Sequence, residues 1–167
     1  MIRASNEADF QAILSIINAA AEAYRGIIPP DRWKEPYMPA HELAQEIAAG
    51  IRFQVLVDAD TLKGVMGVQE VKDVTLIRHA YVDPSAQGQG IGATLLKNCQ
   101  GLAARPLLIG TWAAADWAIR FYQKHGFQVT SRAEKEHLLR TYWTIPERQI
   151  ETSVVLADGR WLRTNSS

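Results

Sequence analysis

One stretch decides the fold of this chain, and it reads Leu76-Ile77-Arg78-His79-Ala80-Tyr81-Val82-Asp83-Pro84-Ser85-Ala86-Gln87-Gly88-Gln89-Gly90-Ile91-Gly92-Ala93. Its first half is rich in β-branched and aromatic residues, which predicts a strand that stops at Asp83-Pro84 because proline lacks a backbone N–H. Three glycines follow at alternate positions, and an apolar pattern of helical spacing begins at Ile91. Glycines let backbone N–H groups approach a ligand, and a helix N-terminus carries unpaired N–H groups. We therefore expect a phosphate or pyrophosphate group to bind at this turn.

Composition and charge exclude several classes of protein. The 167 residues predict a single domain spanning 1–167, and a hydrophobic content of 47% argues against disorder. Lys and Arg together number 18, as do Asp and Glu, so the formal net charge is zero. Without an excess of basic residues, we expect neither a nucleic acid nor a membrane surface as partner.

Cysteine and histidine usage bears on the compartment and on metals. The lone Cys99 cannot form an internal disulfide, which indicates a reducing, cytoplasmic location, and no signal peptide is expected at the N-terminus. Cys99 falls on the apolar face of the helix after the glycines, so we interpret it as a small buried hydrophobe rather than a nucleophile. The histidines show no ligand spacing with one another or with Cys99, and no metal site is predicted.

The rest of the chain predicts a mixed α/β sheet that is antiparallel at both ends with one parallel crossover in the middle. Asn6 with Asp9 resembles the cap of a first helix. Four prolines exclude a regular element over 27–39. Weak order is expected from about 160 to 167. Further helices are expected over 40–49, 91–103, 116–125 and 132–143, and strands over 2–4, 53–57, 62–71, 74–82, 107–111, 127–130 and 152–156.

A glycine turn of this kind is compatible with three classes of phosphate ligand. A nucleotide P-loop is excluded because no Lys-Ser/Thr pair follows the glycines. The dinucleotide fingerprint is met formally by Gly88, Gly90 and Ala93, but the next strand ends in Gly110-Thr111 without the acidic residue that would bind a ribose. A dinucleotide-binding oxidoreductase is therefore only a minor alternative. The third ligand is an acyl-coenzyme A.

Two separated motifs carry a resemblance that favours the third ligand. Gln87-Gly88-Gln89-Gly90-Ile91-Gly92 resembles the Gln/Arg-x-x-Gly-x-Gly/Ala signature of the GNAT acetyltransferase superfamily, and it directly follows a strand, as in that family. Ala118-Ile119-Arg120-Phe121-Tyr122-Gln123-Lys124-His125-Gly126-Phe127 is similar to the family's Ala-x-x-Phe-Tyr-x-x-x-Gly-Phe segment. The resemblance covers roughly residues 1–157 and is strongest over 74–127.

The resemblance implies the GNAT fold and an N-acetyltransferase that moves an acetyl group from acetyl-coenzyme A to an amine of a small molecule or a peptide. The amine would attack the thioester directly in a ternary complex, with the pantetheine arm between the strands that end at Val82 and Thr111. Family members of this fold often dimerise, so a homodimer is implied as well. The cofactor contacts implied are Ala80, Tyr81, Val82, Gln87, Gly88, Gln89, Gly90, Ile91, Gly92 and Ala93, together with Tyr122.

The acetyl transfer that the resemblance implies includes two proton transfers, one that needs an acid and one that needs a base. Tyr122 occupies the family's general-acid position, although a core tyrosine on an amphipathic helix would have the same spacing. The strand position that holds a basic glutamate in some members is Leu76 here. His79 is a candidate base because imidazole titrates near neutral pH, but a lone strand histidine is more often a packed residue, and waters could serve instead. Strand alternation predicts that Arg78 and His79 point to opposite faces.

The acceptor pocket is less constrained than the cofactor site. Trp33 and Tyr37, in the proline-rich loop, could wall the pocket or simply seal one end of the core. Trp112 has the same two interpretations, and Arg78 could bind an acidic group on the acceptor or remain solvated. Many members carry an asparagine where this chain has Ala115, which puts one cofactor contact in doubt. The missing glutamate and asparagine leave a non-catalytic acyl-coenzyme A-binding module as the main alternative.

Overall fold

The computed structural model describes residues 1–165, over which the chain alternates between strands and helices. The strands are β1 (Ile2–Ala4), β2 (Arg52–Asp58), β3 (Thr61–Val71), β4 (Val74–Val82), β5 (Leu107–Trp112), β6 (Gln128–Val129) and β7 (Ser153–Ala157). The α-helices are α1 (Phe10–Ala21), α2 (Ala40–Ala48), α3 (Ile91–Leu102), α4 (Asp116–Lys124), α5 (Arg132–Tyr142), α6 (Glu147–Glu151) and α7 (Gly159–Asn165).

The strands form one mixed sheet in the order β1-β2-β3-β4-β5-β7-β6. The pairs β1–β2, β2–β3, β5–β7 and β6–β7 are antiparallel, and β4 and β5 are parallel. The antiparallel pairs follow from short connections, whereas the parallel pair needs the long crossover that α3 provides. The prediction of a mixed sheet with a parallel pair at its centre is confirmed.

The chain forms two compact units, each built from several segments. Unit 1 comprises residues 1–25, 33–69 and 77–102, and unit 2 comprises residues 26–32, 70–76 and 103–165 of the described chain. Unit 1 therefore holds β1, β2, β3 up to Gln69, the end of β4 and helices α1 to α3. Unit 2 holds the last two residues of β3, the start of β4, the remaining strands and helices α4 to α7.

The core of unit 1 lies between α1, α2 and the antiparallel strands. Alternate residues of β2 are buried, as expected for a strand with one face on a core, whereas β3 is buried continuously over 64–67. Helix α1 contributes residues at helical spacing, and α2 contributes mainly Leu43, which is fully buried. The buried members are Ile13, Ile16, Ile17, Met38, Leu43, Ile51, Phe53, Val55, Leu62 and Val65.

The start of α1 is fixed by the predicted cap and by an ion pair. The Asn6 side chain accepts a hydrogen bond from the Ala8 N–H at 2.9 Å, and the Asp9 carboxylate accepts one from the Asn6 N–H at 2.8 Å. The Arg3 guanidinium donates to both oxygens of Asp9, at 2.7 and 3.0 Å. The hydrogen bond from Arg3 is the main reason why the pKa of Asp9 lies below its ordinary value. This pair joins β1 to the first helical turn.

Asp9→Asn is expected to lower the free energy of unfolding near neutral pH and to have little effect at about pH 2. A carboxyl whose pKa is lowered by folding stabilises the native state above its unfolded pKa of about 3.9, and that contribution is lost as the pH falls through the folded pKa. Urea unfolding of wild type and variant at both pH values measures the difference. Glu7→Gln, in the same turn but exposed, is the control, and an Asp9→Asn effect that is equal at both pH values would contradict the assignment.

Unit 2 has a core of its own around β5 and β7. Helices α5 and α6 pack on this core, and Lys135 of α5 is buried with its Nζ donating to the Ile150 carbonyl oxygen of α6 at 2.7 Å. That bond occupies a carbonyl at the end of α6, where helix geometry leaves no intrahelical donor. The buried members are Val74, Leu76, Leu108, Leu138, Leu139, Ile150, Val155 and Ala157.

The local structure differs from the sequence expectations at four places. Weak order is expected from about residue 160, but Gly159–Asn165 form α7. The same expectation for residues 166 and 167 lies outside the described residues. Ile145-Pro146 interrupts the chain as its proline predicts, but α6, which the sequence pattern does not predict, follows directly. The apolar spacing places Ile47 of α2 and Trp117 of α4 on inward faces, yet these side chains are 38% and 41% exposed.

Candidate functional site

The glycine turn is entered through a short helical segment that Asp83 caps. The Asp83 carboxylate accepts hydrogen bonds from the Ser85 N–H at 2.9 Å and from the Ser85 hydroxyl at 2.8 Å. These bonds are the main reason why its pKa lies below the ordinary value. The Asp83 N–H in turn donates to the Lys63 carbonyl oxygen of β3 at 2.8 Å. The chain that leaves β4 is therefore held against the sheet just before the glycines.

Gly88 and Gly90 have the backbone that the predicted turn requires. Their φ angles are 83° and 77°, in the left-handed region that side chains disfavour. A Cβ placed on either would meet no heavy atom within 4 Å. The two glycines are thus needed for conformation, and the space in front of them is not filled by packing within the chain.

Helix α3 begins directly on this turn. The Thr94 N–H and hydroxyl both donate to the Gly90 carbonyl oxygen, at 3.0 and 2.9 Å. The N–H groups of Ile91, Gly92 and Ala93 lie in the first turn, where the helix supplies no acceptor. Together with the helix dipole they suit an anionic ligand. The predicted cofactor residues from Gln87 to Ala93 therefore comprise the glycine turn and the first turn of α3, whose N–H groups have no intrahelical acceptor.

Strand β4 is irregular at His79, where the φ angle is 55°. A left-handed residue inside a strand breaks the alternation of side chains, as a β-bulge does. Arg78 and His79 consequently contact the same atom, Oε1 of Glu46: Arg78 Nη2 lies 3.0 Å from it and His79 Nε2 also lies 3.0 Å from it. The prediction that the two side chains point to opposite faces is wrong.

Glu46 is the site residue that the sequence did not reveal. It reaches β4 from α2, and its side chain is 18% exposed. Burial of the carboxyl favours its neutral form, but the hydrogen bond with His79 and the charges of Arg78 and Lys34 outweigh burial, so the pKa of Glu46 lies below its ordinary value. A usable signal existed, because Glu46 is three residues after Leu43 and shares its face of the helix.

Arg78 is held on two sides rather than solvated. Besides Glu46, its guanidinium donates to the Gln69 side-chain oxygen of β3 at 3.1 Å. The Phe53 ring of β2 stacks on the His79 imidazole, with ring centroids 6.3 Å apart and an interplanar angle of 26°. Arg78 and His79 are thus fixed in place before any ligand binds.

Tyr81, two residues further along β4, faces the proline-rich loop. The Tyr81 hydroxyl donates to the Tyr37 hydroxyl at 3.3 Å. The Tyr81 ring makes edge-to-face contacts with the rings of Tyr37 and Tyr24. Trp33 packs on Tyr37 with ring centroids 5.7 Å apart. Burial raises the pKa of the Tyr37 phenol. Two of the predicted substrate residues, Trp33 and Tyr37, therefore lie together beside a predicted cofactor residue.

Asn18 anchors the end of that loop to α1. Its side-chain amide donates to the Met38 carbonyl oxygen at 3.0 Å and accepts from the Met38 N–H at 2.8 Å. Met38 is buried in the unit 1 core, and Tyr37 packs against the same core. Tyr37 thus helps to close the core, and its hydroxyl also belongs to the tyrosine cluster.

Tyr122 and Trp112 belong to unit 2. Tyr122 is buried on α4, with its ring centroid 5.1 Å from that of Phe121 and 5.9 Å from that of Phe127. Trp112 ends β5 opposite Ser153, and its carbonyl oxygen accepts from the N–H of the fully buried Ala115 at 2.9 Å. Trp112 is thus the last residue of β5, and Tyr122 lies on α4, the helix that follows β5 in the chain.

Two other positions bear on the predicted chemistry. Leu76, where some family members carry a glutamate, is fully buried in the core of unit 2. Cys99 is buried, and burial raises the pKa of its thiol to about 11, which keeps it protonated and unreactive near neutral pH. Neither residue offers a base or a nucleophile.

Residues 1–165 contain no cluster of three or more His, Cys, Asp or Glu side chains that could hold a metal ion. None of the helices in that range has the length and apolar character that a bilayer crossing demands.

Comparison with known proteins adds a family and a fold. A family model described as an acetyltransferase (GNAT) domain matches residues 17–141. The peptidyl-lysine N-acetyltransferase YjaB of Salmonella typhimurium is 37% identical over 62 residues, which are 37% of this chain and 42% of that protein. The matched segment thus spans less than half the length of that curated relative.

Solved structures resemble the whole chain at low identity. The PaiA N-acetyltransferase from Thermoplasma acidophilum, in complex with coenzyme A, gives a TM-score of 0.72 at 18% identity, with 95% of this chain and 97% of that chain covered. The ribosomal-protein-S18-alanine N-acetyltransferase from Escherichia coli gives 0.66 at 18% identity, with 95% and 92% covered. These likenesses confirm the predicted fold.

Proposed function

The chain belongs to the GNAT acetyltransferase family, and from this premise we propose that it transfers the acetyl group of acetyl-coenzyme A to an amine. The observation that carries the proposal is the pair of left-handed glycines, Gly88 and Gly90, that open onto the N-terminus of α3. That N–H-lined turn suits a pyrophosphate, which coenzyme A carries and which the family's signature motif binds. Neither alternative, the non-catalytic module or the dinucleotide oxidoreductase, is favoured by the comparisons.

The reaction we propose is a direct attack within a ternary complex. The acceptor ammonium loses one proton, and its nitrogen then forms a bond to the thioester carbonyl carbon. The C–S bond breaks, the thiolate of coenzyme A takes a proton from the Tyr122 hydroxyl, and the tyrosinate regains a proton from the amide nitrogen. Backbone groups of Ala80, Tyr81 and Val82 would contact the pantetheine arm and polarise the carbonyl. The net products are an amide, free coenzyme A and one proton released to solvent.

The acceptor is an amine, and its pocket is proposed to include Trp33, Tyr37, Arg78 and Trp112. Trp33 and Tyr37 support this role because they pack together next to Tyr81 of β4. Because the named relative with sequence similarity acts on peptidyl-lysine, a peptide lysine is the first acceptor to test, followed by small alkylamines and peptide N-termini. A cytoplasmic location and a homodimer stay predictions.

The test of this function is thiol release from acetyl-coenzyme A in the presence of each amine, with mass spectrometry of the acceptor. We expect release that depends on both substrates, together with a mass gain equal to one acetyl group. Coenzyme A binding without turnover on any amine would favour the non-catalytic module. Binding of a nicotinamide dinucleotide but not of coenzyme A would favour the oxidoreductase.

Gly88→Ala is expected to weaken the binding of coenzyme A about tenfold while the protein stays folded. An alanine at a φ of 83° is strained by about 1–2 kcal/mol, and relief of that strain turns the N–H groups away from the pyrophosphate. Titration calorimetry with coenzyme A measures the effect. Gly26→Ala is the matched control, because Gly26 has a φ of 86° and equally open surroundings but lies outside the turn. Equal affinity losses in both variants would contradict the role of the turn.

A further inference from the structure

The cluster of Glu46, Arg78 and His79 lies outside the two motifs that define the family resemblance. Its atoms come from α2 and from β4, and all of them belong to unit 1. His79 immediately precedes Ala80, the first residue proposed to contact the pantetheine arm. The cluster therefore adjoins the strand segment at which the proposed reaction occurs.

Two features of the cluster are unfavourable for stability. His79 has a left-handed backbone, a conformation that is strained for a residue with a side chain. The Glu46 Oε2 atom is buried without a hydrogen-bond partner, so its desolvation is not compensated. A tether between helix and strand needs neither feature. Their coincidence at one contact is typical of a site maintained for chemistry.

The geometry of the pair assigns roles to the two ring nitrogens of His79. Nε2 lies 3.0 Å from Oε1 of the Glu46 carboxylate, which can only accept a hydrogen bond. A neutral imidazole must therefore carry its proton on Nε2, which leaves the lone pair on Nδ1. The Phe53 ring stacked on the imidazole restricts its rotation. This arrangement prepares Nδ1 to accept a proton.

We propose that Glu46 is the positioning residue of a Glu46–His79 pair in which Nδ1 of His79 removes one proton from the acceptor ammonium. The nitrogen lone pair that is freed attacks the thioester, the imidazolium is stabilised by the Glu46 carboxylate, and the proton then leaves to solvent. The pair supplies from helix α2 the carboxylate that Leu76 does not supply on β4. This inference rests on the proposed acetyl transfer.

Other charged groups surround the pair and favour the ionised form of the Glu46 carboxyl. Arg78 shares the Glu46 oxygen with His79. Lys34 adds a second positive charge near Glu46. The Tyr37 phenol lies near the carboxylates of both Glu46 and Glu42. Glu42 itself pairs with Lys34 at 2.6 Å. The carboxylate of Glu46 is thus partly neutralised by Arg78 but remains an acceptor for His79.

The first test needs no acceptor and stays valid if acetyl transfer fails. Nitrogen-15 NMR of the His79 ring in the full chain, at a pH where the ring is neutral, distinguishes its two tautomers. We expect the form that is protonated on Nε2, and we expect Glu46→Ala to give a mixture of both forms. A wild-type ring that is protonated on Nδ1 would overturn the proposal, because that nitrogen would then have no lone pair.

The second test is a double-mutant cycle on an amine that the wild type acetylates. Glu46→Gln removes the charge at constant shape, and we expect kcat to fall about tenfold with the KM for acetyl-coenzyme A nearly unchanged. His79→Gln is expected to give a similar loss. The double variant should be no slower than His79→Gln alone, because Glu46 acts through His79.

Controls separate this role from a structural one. Glu42→Gln makes the same change one helical turn earlier and should keep wild-type kcat, and thermal melting should show all variants folded. A double variant that is about a hundredfold slower than wild type would show independent effects and overturn the proposal. Loss of kcat in proportion to loss of folded protein, or an unaltered kcat in Glu46→Gln, would overturn it as well.

Discussion

Replacing Tyr122 by phenylalanine is expected to lower kcat about a hundredfold while leaving the affinity for coenzyme A nearly unchanged. General acid catalysis by a positioned side chain typically contributes about 10²- to 10⁴-fold. The hydroxyl is the atom that phenylalanine lacks, and the buried ring that packs on Phe121 and Phe127 is retained. Steady-state kinetics with the best acceptor, combined with calorimetric titration of coenzyme A, measures both quantities.

The size of this effect follows from the two acids involved. A thiol has a pKa near ~8.5 and a phenol near ~10, so transfer from tyrosine to the thiolate is uphill by roughly 2 kcal/mol before the site adjusts it. A penalty of that size is modest and can be supplied by the site. Water can substitute only in part, which is why turnover should persist at a low level in Tyr122→Phe.

The matched control is Tyr142→Phe, the same substitution elsewhere in unit 2. The Tyr142 hydroxyl donates to the Asp73 carboxylate at 2.5 Å, and the variant loses that surface contact. Because Tyr142 lies outside the proposed machinery, its removal should alter melting more than turnover. Unaltered turnover in Tyr122→Phe would remove the acid assignment and leave Tyr122 as a core residue of α4.

The glycine turn could be predicted because its signals are local. Gly88 and Gly90 adopt left-handed φ angles, which glycine accepts without steric cost. The start of α3 at Ile91 follows from the apolar periodicity of the next few residues. The Asn6 cap is local in the same way. Each of these features depends on neighbours in the sequence, so a single sequence is enough to locate it.

Contacts between distant segments could not be predicted in the same way. Glu46 meets His79 across 33 positions of the chain. Its spacing from Leu43 indicates that it lies on the inward face of α2, but no local pattern indicates which residue of the sheet it contacts. The left-handed backbone of His79 is not encoded by a glycine, so strand alternation gave the wrong orientation for Arg78. Propensity and periodicity describe segments, whereas this cluster is determined by how α2 packs on the sheet.

The exposure of Ile47 on α2 and the presence of α6 could not be predicted for a related reason. Helix α2 buries Leu43 fully, but Ile47 is exposed because the core contact of this nine-residue helix is confined to one narrow stripe that Glu46 shares. Helix α6 has five residues, too few for an amphipathic pattern to emerge. Both depend on tertiary packing, which overrides a weak local preference.

Gly67→Ala is expected to lower the free energy of unfolding by about 3 kcal/mol, the largest stability effect we predict for a single methyl group. A Cβ on Gly67 of β3 would lie 2.8 Å from the backbone carbonyl oxygen of Arg78 and 3.1 Å from both the Ile51 and Phe53 side chains. A backbone oxygen cannot rotate away as a side chain can. The strands must therefore separate at the point where β4 has its left-handed residue, and urea unfolding measures the loss.

The same substitution tests what fixes the left-handed backbone at His79. Gly101→Ala, in α3, places a methyl group where nothing lies within 4 Å, and it should be neutral or stabilising by up to about 1 kcal/mol because alanine is the better helix former. The close approach of β3 to the Arg78 carbonyl oxygen explains why position 67 is a glycine. Because His79 directly follows Arg78, displacement of that carbonyl should also move His79. We therefore expect Gly67→Ala to lower the kcat of the protein that remains folded. A Gly67→Ala protein as stable as wild type would mean that β4 can shift freely here, and a fixed position of His79 would then have no structural basis.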